Sequence, residues 1–206
     1  MTGLVLAGGR SSRMGQDKAL LPFDGRPLVQ RVALSVARAC RPVWIVGGGA
    51  AAAGEGHPYR NLGFPLIRDR LKGRGPVAGL HAGLLASESL WNFVCACDLP
   101  FISPRVIEVL KRYAVGTTYE AVVACSSGGR WEPLAACYSR LALKAAESPL
   151  GRSDASLSDV LRAVRVRTVH RQELERVDPD GRAFFNLNTS ADYQQALALA
   201  VGERAT

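Results

Sequence analysis

Gly3-Leu4-Val5-Leu6-Ala7-Gly8-Gly9-Arg10-Ser11-Ser12-Arg13-Met14-Gly15-Gln16-Asp17-Lys18 opens the chain with an apolar run that gives way to a loop of glycine and serine. The run at 4–7 reads as a strand, and three glycines with two serines in the next eight residues exclude a helix there. Glycine-rich loops that leave a strand turn backbone N–H groups outward at the carboxyl edge of a sheet, where α/β folds bind ligands. Further strand-like runs at 43–46, 65–68, 93–97, 121–125, 133–138 and 164–169 alternate with helical spacing. Helices are expected from Pro27 to about 40, over 77–87, from Ser103-Pro104 through Tyr113, twice more before 164, and finally after a cap at Thr189 or Ser190. Pro27 suits a first helical residue, and Gly75-Pro76 breaks the chain before the next helix. Strand and helix in alternation predict an α/β fold with a largely parallel sheet. Residues 93–97 are apolar without interruption, as a central strand covered on both faces should be.

The 206 residues are 48% hydrophobic and 21% charged, which excludes wholesale disorder. No composition break marks a linker, so residues 1–206 read as a single domain. No uncharged apolar run approaches the ~20 residues that cross a bilayer. A first strand so close to Met1 leaves no room for a cleaved signal, and a soluble cytoplasmic protein is expected. Cysteines 40, 95, 97, 125 and 137 lie mostly in apolar runs, which fits reduced buried thiols better than disulfides.

The net charge of +8 is unevenly placed. Residues 1–75 hold 12 basic and 4 acidic side chains, whereas residues 76–206 hold 14 of each. A field of that sign concentrates polyanions near the first third of the chain. Its aromatics, Phe23, Trp44, Tyr59 and Phe64, are scattered, unlike the stacking residues of nucleic-acid binders, so a small polyphosphate fits better.

Three segments carry candidate chemistry. Arg13 and Lys18 add a planar fork and a mobile point charge to the first loop, which is no Walker A motif because Ala19 stands where Ser or Thr would hold magnesium. Asp98, in Cys97-Asp98-Leu99-Pro100, ends the buried run at the same sheet edge, and a lone carboxylate beside phosphates suits Mg²⁺. Asn186-Leu187-Asn188-Thr189 places two amides at period-2 spacing, open to metal, phosphate or helix capping. A fourth stretch, Gly47-Gly48-Gly49-Ala50-Ala51-Ala52, imitates a dinucleotide fingerprint, but Gly54, Gly56 and Pro58 would spoil the helix it needs.

Taken in order from Leu6 to Thr189, these pieces resemble the molybdenum cofactor guanylyltransferase family. The matching residues are Leu6-Ala7-Gly8-Gly9, Arg13-Met14-Gly15 with Asp17-Lys18, Asp69, Gly75-Pro76-Val77-Ala78-Gly79, Cys97-Asp98-Leu99-Pro100 and Asn186-Leu187-Asn188-Thr189. The resemblance implies an α/β three-layer sandwich of the nucleotide-diphospho-sugar transferase type with a mostly parallel central sheet. It implies transfer of GMP from GTP to the terminal phosphate of molybdenum-molybdopterin, with Mg²⁺ as cofactor. GTP contacts would fall on Leu6, Ala7, Gly8, Gly9, Arg13, Lys18, Asp69, Gly79 and Asp98. Among these, Arg13, Lys18 and Asp98 would be catalytic and Asp98 the metal ligand, with Asn186 and Asn188 on the pterin or phosphate side. Gly8-Gly9 leans towards guanine, since related cytidylyltransferases usually carry Ala-Gly; a transferase using CTP or a sugar phosphate is the alternative. A non-enzymatic nucleic-acid-binding module is the reading from another class. The chain departs from the family at Val46-Gly47, where an asparagine is common, and at Trp131-Glu132-Pro133-Leu134. A monomer is expected, in transient contact with other molybdenum cofactor biosynthesis proteins and with neither nucleic acid nor membrane as partner.

Overall fold

The structure, a computed structural model of the chain, describes residues 1–8, 17–47, 57–69, 71, 74–126, 128–152 and 154–204. The elements are β1 (Thr2–Ala7), β2 (Pro22–Phe23), β3 (Arg26–Pro27), α1 (Leu28–Val36), β4 (Val43–Gly47), β5 (Leu66–Ile67), α2 (Gly75–Ala86), β6 (Trp91–Ala96), α3 (Pro104–Ala114) and β7 (Ala121–Cys125). They continue with β8 (Trp131–Ser139), α4 (Leu143–Glu147), α5 (Leu157–Arg162), β9 (Val166–Val169), α6 (Arg171–Leu174) and α7 (Ser190–Arg204).

Seven strands form the central sheet in the order β5-β4-β1-β6-β8-β7-β9. Every pair is parallel except β6–β8 and β7–β8, so β8 alone runs against the rest. Parallel pairing needs crossover helices, and these cover both faces of the sheet. Alternation along β1 sends Val5 and Ala7 to one face, where α1 and α3 pack through Val29, Val32, Ile107 and Leu110. Leu4 and Leu6 face the other way, against Val77, Leu80 and Leu84 of α2 and Val160 and Leu161 of α5. Full burial of each such side chain stabilises by about 1.5–3 kcal/mol. A third, smaller core seats α7 beside the site edge through Phe23, Phe101, Leu187 and Ala196.

Two glycines let α2 sit directly on β1. A Cβ on Gly83 would come within 2.6 Å of Leu4 Cδ1, and one on Gly79 within 3.3 Å of Leu6 Cδ2. Several sequence boundaries shift. Pro27 closes the β2–β3 hairpin and precedes the helix instead of starting it, and α1 stops at Val36. Gly75 and Pro76 form the first turn of α2 because proline's missing N–H costs nothing there. The single-turn α6 is additional. All five cysteines are free and buried. Among the described residues no helix is long and apolar enough to cross a membrane.

Candidate active site

β6 is buried along its whole length and ends at Ala96, and Asp98 follows two residues later at the carboxyl edge. The backbone there is fastened on two sides. Cys97 N–H donates to Leu6 O of β1 at 3.0 Å, and Asp98 O accepts from Leu187 N at 3.0 Å. The Asn186–Asn188 segment is thereby held against the aspartate.

Lys18 arrives from the other direction, at the start of a single 3₁₀ turn, Lys18–Leu20, capped by the Asp17 carboxylate on Ala19 N. Its Nζ lies 2.7 Å from Asp98 Oδ2, with each side chain about one-fifth exposed at 18% and 19%. Burial pushes the Cys97 thiol up, with the Asp98 carboxylate adding to the effect, which disfavours its thiolate. The structure thus brings Lys18 and Asp98 into contact across 80 residues of sequence.

The other oxygen of Asp98 identifies what the rim can hold. Oδ1 is buried and has no hydrogen-bond partner among the described residues, and Asn186 Oδ1 is in the same condition. Buried acceptors left unpaired cost about 1–3 kcal/mol each, so these two oxygens are free to take a bound donor or cation. Two hard oxygens fit Mg²⁺, which takes one or two protein ligands and leaves the rest of its octahedron to water and substrate phosphate. Among the described residues no three His, Cys, Asp or Glu side chains converge as a cage.

Helix capping accounts for the rest of that loop. The backbone N–H groups of Asn188 and Thr189 both donate to Asp192 Oδ2 at 2.8 Å, while Thr189 Oγ1 accepts from Asp192 N. These bonds hold the Asp192 carboxyl below its usual range, with the Lys18 charge contributing, so the start of α7 lies in the field of the same lysine.

Asp69 stands at the end of β5, two strands away from β1. Strand spacing puts it about 10 Å from β1, a nucleoside's length away. Its Oδ1 accepts from Leu71 N at 2.8 Å, and burial raises its pKa despite that bond. It lines a cavity of 720 Å³ together with Leu66, Ile67, Ala78 and His81.

Leu6 and Ala7 lie buried within β1, so only their backbone can serve a ligand, whereas Gly8 is exposed at the strand's end. The structure gives Gly79 a packing role against Leu6. Gly9, Arg13 and residues 48–52 of the fingerprint-like stretch lie outside the described residues. Gly47, which begins that stretch, has its own explanation: a Cβ there would sit 1.7 Å from Ala7 O. Because β8 runs backwards, its first residues, Trp131 to Leu134, arrive at the carboxyl edge. Glu132 is half-buried there, with its pKa raised by burial. Sequence reasoning missed Tyr59, a buried phenol whose hydroxyl donates to Asp17 Oδ2 at 2.5 Å.

The architecture recurs in solved structures. Molybdopterin-guanine dinucleotide biosynthesis protein A from Archaeoglobus fulgidus superposes with a TM-score of 0.84 at 26% identity, over 98% of this chain and 100% of that one. A 4-diphosphocytidyl-2C-methyl-D-erythritol synthase from Anaerococcus prevotii shares the fold alone, at TM-score 0.65 and 12% identity, over 97% of each chain. Fold and rim together define a nucleotidyltransferase. A probable molybdenum cofactor guanylyltransferase of Pelotomaculum thermopropionicum is 34% identical over 98% of this chain and 95% of its own length. A molybdenum cofactor guanylyltransferase of Desulfosudis oleivorans is 34% identical over 96% and 95% respectively. Residues 3–173 match the MobA-like NTP transferase domain, and the chain belongs to that family.

Proposed function

We propose that this chain transfers GMP from GTP to the terminal phosphate of molybdenum-molybdopterin and releases pyrophosphate. The observation that carries the reading is the Lys18–Asp98 contact at the sheet edge, with the second oxygen of Asp98 left for a cation. The relatives' names supply the guanyl donor and the pterin acceptor.

The chemistry asks little of the protein in proton transfer. A phosphate monoester has its second pKa near ~6, so the acceptor is already anionic at pH 7 and needs no general base. Its oxygen forms a bond to the α-phosphorus of GTP while the bond to the bridging oxygen breaks, and that electron pair leaves with pyrophosphate. The barrier is charge: two polyanions must meet in line, so fixed positive charge dominates catalysis. Lys18 holds the β- and γ-phosphates and stabilises the leaving group, with Arg13 as its companion. Asp98 and Asn186 would hold Mg²⁺, which supplies Lewis-acid neutralisation of the phosphate oxygens when bound. Asp69 lies where the base would reach, and its carboxylate accepts from the N1–H and N2–H₂ donors of guanine. Asn188 and the Trp131–Leu134 segment border the acceptor side.

The test is a nucleotide panel. With molybdenum-molybdopterin and Mg²⁺, pyrophosphate release is expected with GTP and to be at least about tenfold slower with CTP or ATP, as loss of a hydrogen-bonded base edge requires. Release that is faster with CTP overturns the guanyl assignment.

A further inference from the structure

Lys18 has a carboxylate as its chain neighbour, and pairing with Asp17 would draw the ammonium away from Asp98 and the sheet-edge rim. Among the described residues its ion pair is with Asp98, not Asp17. Both Asp17 oxygens are taken elsewhere: Oδ1 accepts from Ala19 N at 3.0 Å, and Oδ2 accepts from the Tyr59 hydroxyl at 2.5 Å. Tyr59 is only 3% exposed, within the core under α1. Its own backbone N–H is held by His57 Nδ1 at 3.0 Å, with the two rings 4.8 Å apart. The turn that follows is pinned to α1 by Gln30 Nε2 donating to Leu62 O. Tyr59 is therefore a fixed post and not a mobile side chain.

We propose that Tyr59 is a positioning residue whose hydroxyl draws the Asp17 carboxylate off Lys18 and so keeps the ammonium available to Asp98 and to the nucleotide's terminal phosphates. A phenol suits this task. An O–H···O⁻ bond is roughly twice as strong as a neutral one, yet it adds no charge that would compete for the phosphates. Burial and the Asp17 bond both push the phenol's pKa up, so it remains a donor throughout the working range. The groups lie together around one thiol: Cys97 is within electrostatic reach of Asp98, Lys18, Asp17 and Tyr59. The inference rests on the proposed role of Lys18 at the β- and γ-phosphates.

The test is a double-mutant cycle read by calorimetric titration of GTP and of GMP in the presence of Mg²⁺, with Tm recorded for each variant. Tyr59→Phe keeps the ring in the core and removes only the donor. It is expected to weaken GTP binding about tenfold and to leave GMP binding within about twofold, since GMP lacks the phosphates Lys18 would hold. In the Asp17→Asn background the same Tyr59→Phe change is expected to alter GTP affinity by less than about twofold, because no stray carboxylate remains to capture Lys18. Equal losses in both backgrounds, or no loss in either, would overturn the proposal. Lys18→Ala is the separate check on the underlying reading: it should cut the preference for GTP over GMP by about tenfold or more. An unchanged preference in Lys18→Ala would remove Lys18 from the phosphates altogether, whatever Tyr59→Phe does.

Discussion

Asp98 and Asp69 occupy equivalent places in the same sheet, each two residues beyond the end of a parallel strand, and the fold treats them differently. Asp98 follows the central β6 and, among the described residues, meets an ammonium on one oxygen and no hydrogen-bond donor on the other. Asp69 follows the edge strand β5 and meets a backbone N–H, with burial raising its pKa. The difference teaches that strand-end position alone does not assign a role. A carboxylate with a cation and a spare oxygen is equipped for phosphate and metal, while one beside a cavity with a neutral donor is equipped to read a base. In the proposed reading the phosphates of GTP would lie over β1 and β6 and the base towards β5.

The sharpest way to break this contrast is Asp98→Ala. Charge stabilisation by a bound cation is worth several kcal/mol, so turnover should fall by about 10³-fold or more. The Mg²⁺ concentration giving half-maximal rate should rise out of the accessible range. Some stability is lost as well, since Lys18 loses its partner, but less than the about 3–5 kcal/mol of a fully buried pair because both groups are partly exposed. Full Mg²⁺-dependent turnover in a folded Asp98→Ala variant would end the distinction between the two aspartates.

At the other end, Asp69→Asn should raise the KM for GTP by about 10–100-fold and leave kcat close to its original value, the signature of lost binding to a charged acceptor. The pH dependence supplies an independent sign. Burial raises the Asp69 pKa, so its ionised form costs stability at neutral pH, and that cost disappears as the pH falls through the raised value. Guanine needs the ionised form as acceptor. Acidification should therefore weaken GTP binding while this group's burden on the fold is relieved, beginning at a higher pH than for a free aspartate. In Asp69→Asn that limb of the affinity profile should vanish. Persistence of the limb would move base reading to another group.

The strands were legible because burial on both faces leaves a continuous apolar run, as at 93–97, and short apolar runs bounded by glycine can hardly be anything else. Asp98 was legible for the same reason, since a strand end is a predictable place, and Lys18 because it closes the glycine-rich segment that follows β1. The β2–β3 hairpin was missed although Asp24-Gly25 announces it, with both residues at positive φ, as a type I′ turn requires. There Pro27 drew attention as a helix start and concealed the pairing beneath it. The reversed direction of β8 leaves no mark on its own residues, since either direction buries the same side chains. Gly79 matched a family motif, yet its backbone lies against Leu6. Tyr59 was set aside as one of four scattered aromatics because its partner is 42 residues away, and no periodicity connects two loops.

Asn186 tests whether the Asp98 side of the comparison extends to a second oxygen. Its Oδ1 is buried without a partner among the described residues, in a loop tied to the Asp98 carbonyl through Leu187. If the amide served the fold, truncation would break a bond and destabilise the protein. An unpaired buried acceptor does the opposite: its removal relieves a desolvation cost of about 1–3 kcal/mol, which offsets the packing lost with the side chain. Asn186→Ala should therefore leave Tm within a few degrees of the parent. The Mg²⁺ requirement should rise by about tenfold, the loss expected for one of several oxygen contacts around a metal. A fall in Tm with an unaltered Mg²⁺ requirement would assign the amide to the loop and leave Asp98 as the sole protein oxygen on the ion.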